Sequence, residues 1–207
     1  MRSRTQRLLG LGAVVALGAV LLVIGVATAA SGQARHVRWD IISLVGGAPP
    51  GPINPGGMAS AKAPDDTMIT LTGAGTFVAP AGRNGSSHAV TGGGTWQTFD
   101  AAGASTGSGT YQVTELVSFE FANFQSPTPV FVDNIADVNQ RANGTAVLKI
   151  EYSDGSQGVL TVGCHGPGAP PGIFEGIATT KGFKTYYDVQ PPAAGVDANR
   201  TIFHVLR

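Results

Sequence analysis

One motif recurs three times in the middle of the chain and narrows the folds open to it: Thr72-Gly-Ala-Gly-Thr-Phe77, Thr91-Gly-Gly-Gly-Thr-Trp96 and Thr106-Gly-Ser-Gly-Thr-Tyr111. The copies begin 19 and then 15 residues apart. That is too close for solenoid units that carry helices, and it suits successive antiparallel strands joined by short loops. Alternate residues of a strand share a face, so Ile69, Leu71, Gly73, Gly75 and Phe77 fall together in the first copy. Val90, Gly92, Gly94 and Trp96 do so in the second, and Gly107, Gly109, Tyr111 and Val113 in the third. The glycines lie on the apolar face each time. A strand without side chains on its concave side coils sharply, which lets a sheet close into a barrel or turn a corner. A phosphate cradle would need a helix start after the glycines, whereas each pair here runs into Thr and an aromatic residue, a strand signal.

Composition agrees. Thirty glycines and 13 prolines among 207 residues exclude a coiled coil or a helix bundle. A hydrophobic share of 43% is enough for a packed core, and 13 basic residues against 13 acidic ones leave no basic footprint for nucleic acid. The start of the chain reads differently. Arg2, Arg4 and Arg7 precede an uncharged stretch from Leu8 to Ala30, and Ala27-Thr28-Ala29 offers the small residues of a cleavage site. Residues 1–29 are expected to be a signal peptide, or alternatively an uncleaved N-terminal membrane anchor, since 23 apolar residues can span a bilayer. Either way residues 30–207 are expected to be one extracytoplasmic domain, secreted or held at the cell surface, touching a membrane only through the N-terminal segment if that stays uncleaved.

The expected fold is all-β, an antiparallel β-barrel of about eight or nine Gly-kinked strands or alternatively a β-sandwich. Strands are expected at 36–45, along the three copies, on from Tyr111 to Phe121, at 146–152 and 159–165, at 173–180 and 183–189, and at 200–206. Residues 46–66 hold Pro49, Pro50, Pro52, Pro55 and Pro64 and read as a long loop, and 133–141 as a short helical turn capped by Asp133 or Asn134. The three copies are similar in style to the Leu-Thr-Gly-Thr-Tyr hairpins of the avidin-like barrels over about 40 residues. That resemblance implies barrel architecture alone, and no biotin-site residue carries over.

Candidate functional residues are few. Glu115 is an acid on a face otherwise formed by Tyr111, Val113, Val117, Phe119 and Phe121. It is a candidate polar anchor or general acid, unless it pairs with a cation or faces water. Trp96, Tyr111 and Phe119 are candidate walls of a ligand cavity, and can equally fill a core. Cys164 and His165 are neighbours on a strand and point to opposite faces, so they form no dyad. Cys164 reads as a buried thiol, and His204 shares a face with Ile202 and Leu206; a Cys-His-Glu set of Cys164, His204 and Glu115 would require the three to converge. The four histidines lack paired ligand spacing, so no metal and no cofactor is expected. The function expected is non-catalytic binding of a small, mostly apolar ligand. The alternatives are a structural or adhesive surface domain, and a small isomerase or hydrolase built on Glu115 with Cys164 or His204. The oligomeric state has no signature.

Overall fold

Alternation of period two governs the described strands. The structure, a computed structural model, describes residues 34–44, 51–79, 87–128, 132–191 and 199–206, so the expected signal or anchor segment lies outside the described residues. Thirteen strands are present among them: β1 (Arg35–Leu44), β2 (Ile53–Pro55), β3 (Ala59–Lys62), β4 (Met68–Leu71), β5 (Ala74–Ala79), β6 (Val90–Phe99) and β7 (Ser105–Phe124), then β8 (Arg141–Tyr152), β9 (Gln157–Cys164), β10 (Gly176–Lys181), β11 (Lys184–Tyr186), β12 (Asp188–Val189) and β13 (Arg200–Val205). Six of them close an antiparallel barrel in the order β1, β5, β6, β7, β8, β13 and back to β1. The barrel reading therefore holds and the open sandwich does not.

Two flanks grow from the barrel. One runs from β8 through β9 and β10 to β11, the other from β6 through β4 and β3 to β12. Their outermost strands are separated in sequence by Tyr187 alone, so the ends of the sheet are tied together covalently. The strand count exceeds the expected eight or nine because the Pro-rich stretch supplies β2 and β3, and because the strands expected along the first copy and at 183–189 each divide in two, β4 with β5 and β11 with β12. Ile53 pairs with Leu44, and Ala59 and Ala61, both fully buried, pair with Leu71 and Ile69. Small alanines alternating with Ser60 and Lys62 supply a strand whose inner face fits under its neighbours. Residues 45–50 lie outside the described residues. The expected helical turn is a single 3-10 turn, Val138–Gln140, capped by Asp137 rather than by Asp133 or Asn134.

The repeat positions the barrel. β4 and β5 keep one register along β6, from Met68↔Phe99 to Phe77↔Val90, and between them the chain changes its other neighbour from β3 to β1. At this corner glycine faces glycine: Gly75 stands opposite Gly92, and a Cβ on Gly75 would collide with the Thr91 carbonyl and the Trp39 indole. The space the glycines vacate is filled by aromatic rings, Trp39 over Gly75 and Trp96 over Gly109, as when a large ring covers a bare stretch of sheet.

β7 departs most from simple alternation. It carries three bulges against β8, between Val113 and Glu115, between Leu116 and Ser118, and between Phe121 and Asn123. Each extra residue flips the faces that follow it. Tyr111 and Val113 point into the core, Leu116 takes the inner position at 0% exposure, and Phe119 and Phe121 recover it after the second bulge. The expected placement of Glu115 and Val117 on the inner face is therefore corrected, since both fall between the first two bulges, although Glu115 is still buried at 8% exposure.

Candidate functional site

The barrel interior is filled where the candidate ligand wall stands. Phe77, Phe119 and Phe203 pack with ring centroids 5.1 to 6.5 Å apart, and Trp96 and Tyr111 lie 5.9 and 6.2 Å from Tyr152. Tyr111 Oη donates to the Thr72 carbonyl at 2.8 Å and Trp96 Nε1 to the Thr110 carbonyl at 3.1 Å. Even eight strands leave an interior only just wide enough for side chains or one small ligand, and six leave less.

Glu115 pairs across the barrel wall with Lys149, whose Nζ donates to Oε2 at 2.7 Å and whose side chain is 54% exposed. Cys164 is buried, and its thiol is pushed well above its ordinary pKa by burial and by the nearby Glu175 charge. His204 Nε2 lies 2.9 Å from Asp133 Oδ2, with both side chains fully buried. These three candidates do not converge. Glu115 sits opposite Lys149 and Cys164 opposite Gly144 on the same strand β8, about 17 Å apart along it at the rise of a strand.

His204 faces away from the barrel. Phe203 and Val205 take the inner side of β13, and His204 shares a cross-strand row with Arg38 of β1 and Arg141 of β8 on the outer one. Residues 132–136 cover this row. Ile53 donates to the Val132 carbonyl and Asn134 to the Ile53 carbonyl, which lowers Asp133 onto His204. Burial alone would raise the Asp133 carboxyl, but hydrogen bonds from His204, Ile135 and Ala136 hold it below its ordinary value.

Beside this covered row lies a cleft of about 290 Å³ between β1, β2, β13 and the chain leaving β9 and entering β10. Ile42, Leu44, Ile53 and Ile202 form its apolar wall; Glu175, Arg200 and His165 supply its polar side. Glu175 is locked in place by two backbone donors, His165 N to Oε2 at 2.5 Å and Thr201 N to Oε1 at 2.7 Å. Burial pushes its carboxyl up to about 7, even though those two bonds and the Arg200 charge pull it down. The Arg200 Nε is buried without a hydrogen-bond partner, and no ion pair among the described residues includes Arg200. His165 Nδ1 is 2.7 Å from the Ile173 carbonyl oxygen, to which it donates. A larger groove of about 390 Å³ crosses the threonine face of the repeat, lined by Met58, Thr70, Thr72, Thr95 and Thr110, but its lining is uncharged and its hydroxyls bond to one another, as Thr72 to Thr95 at 2.7 Å.

Sequence reasoning missed Glu175 and Arg200. The signal for Glu175 was the one used for Glu115, a lone acid in an apolar run, here Ile173-Phe174-Glu175-Gly176-Ile177. Arg200 becomes distinctive only when its neighbours across the fold are known. No family model, no curated protein and no solved structure matches the chain.

Proposed function

We propose that the chain is an exported, non-catalytic β-barrel protein that binds a small, mostly apolar ligand in the cleft outside the barrel. The observation that carries this reading is the make-up of the cleft: four buried aliphatic side chains on one wall and two convergent charged groups, Glu175 and Arg200, on the other. Ligand sites are concave and mainly apolar, with a few placed polar groups that orient the occupant. Export is supported by the basic start, the apolar stretch and the Ala-Thr-Ala site. A binding role is favoured over nucleophilic catalysis because the one thiol is buried and held in its protonated form.

The test is native mass spectrometry of the protein purified from its host's envelope or medium, compared with the same sample denatured. A reproducible excess mass on the native protein, absent from a His165→Trp variant whose new ring fills the exposed mouth of the cleft, is expected. As a defined probe, 1-decanol should shift the methyl resonances of Ile42, Ile53 and Ile202 and leave those of Leu148 and Leu160 unmoved. A bare polypeptide mass together with unmoved cleft methyls would overturn the reading.

A further inference from the structure

We propose that the ligand's polar end is a carboxylate, gripped by Arg200 and by a proton that Glu175 holds in common with it, so that binding takes up one proton. The inference rests on the cleft reading above and adds the chemistry of the head group. Arg200 is the reason for an anion. Its Nε is buried, bonded to nothing, and free of any carboxylate partner within 4.0 Å among the described residues. Arg200 also lines the cleft, so an anionic oxygen bound there meets a guanidinium that no carboxylate of the described residues pairs with.

Glu175 is the reason for a monoanion with a proton to accept. Its two oxygens are fixed by the His165 and Thr201 amides, so the carboxyl cannot swing aside when an anion enters. Among the described residues one guanidinium is the only full positive charge on the cleft, which suits a single carboxylate and falls short of a phosphate dianion. Two carboxylates at one site cannot both stay ionised, and one pKa rises strongly. Burial already brings Glu175 near neutrality. In the complex Glu175 is therefore protonated, taking its proton from water wherever the free carboxyl was ionised, and its O–H donates to a ligand oxygen while Arg200 donates to the other. The groups facing Glu175 are Arg200 from β13, Cys164 and His165 from the end of β9, and the apolar Ile42 and Leu44 from β1. His165 is the other ionisable side chain lining the cleft, and its variant must be compared.

Decanoate and 1-decanol, equal in chain length and different in head group, separate the two levels of the reading. Titrations of the full chain, followed by the Ile42, Ile53 and Ile202 methyls, should give decanoate at least a tenfold preference over decanol at pH 6. Decanoate, ionised throughout, should weaken roughly thirtyfold between pH 6 and 8.5, as expected when a group titrating near 7 in the free protein stays protonated in the complex. Glu175→Gln should flatten that dependence and His165→Asn should keep it. Arg200→Met should abolish the preference for decanoate, and Arg200→Lys, which keeps the charge if the methionine variant folds poorly, should restore part of it. Equal binding of the two probes, or a pH dependence that survives Glu175→Gln, would overturn the carboxylate assignment and leave the apolar cleft standing. Failure of both probes to move the cleft methyls would remove the cleft reading and this one with it.

Discussion

Gly75 shows how a residue without a side chain can be the one a fold depends on. A methyl group there would strike both the Thr91 carbonyl and the Trp39 indole, and neither can retreat, because one belongs to the ladder and the other is fully buried. Gly75→Ala is expected to destabilise by about 2–4 kcal/mol, measured as the urea midpoint. Gly103→Ala, where the new methyl meets open space but φ is +86°, should cost only about 1 kcal/mol. Glu115 makes the opposite case, because its chemical oddity on the page became ordinary in the fold. It is buried at 8% exposure but paired with a half-exposed Lys149, so its charge has a partner, and the pair should be worth on the order of 1 kcal/mol once the cost of burying the carboxylate is set against it. Glu115→Gln should thus lower the midpoint slightly; a rise would mean an acid without compensation. The glycine parity was legible because it depends only on neighbours in sequence. The environment of Glu175 was not, because its donors are 10 and 26 residues away.

At the scale of the element, β7 is where local pattern and global structure part. Its hydrophobic alternation from Tyr111 to Phe121 has the right period and the right ends, since two bulges restore the phase that one would lose. What the pattern hides is the inverted stretch between them. A bulge is set by how the partner strand's carbonyls and amides line up, and β8 lies beyond a connection of more than a dozen residues. The inversion predicts that Leu116→Ala, removing a fully buried side chain, costs about 2–5 kcal/mol. Val117→Ala, at a half-buried position, should cost under about 1 kcal/mol. Guanidinium unfolding of the two variants decides it, and equal losses would mean that β7 is unbulged there. The hairpin of β8 and β9 was legible for the converse reason. Its turn chemistry is wholly local, with Gly155 at φ +84° and Asp154 accepting from the Ser156 amide.

For the whole molecule, stability should depend on pH through Glu175. Its folded pKa near 7 lies above the ordinary 4.5, so the native state holds the proton more tightly than the unfolded chain. The stability this provides is present below about 4.5 and is lost as pH rises to about 7, a loss on the order of 3 kcal/mol. Asp133 acts with the opposite sign, because its lowered pKa adds stability that disappears only as pH falls into the acid range. Urea midpoints of the wild type and of Glu175→Gln, compared at pH 5 and pH 8, should show the variant gaining on the wild type at the higher pH. Parallel curves would mean that Glu175 is ionised throughout. Closure has a further consequence. A strand edge with free amides and carbonyls invites a second chain to add itself, the route to fibrils. Here the flanks end in strands of three and two residues joined through Tyr187, so another copy finds almost no ladder to extend. With its two flanks tied to each other, the folded domain offers, among the described residues, no long free strand on which a second copy could template itself.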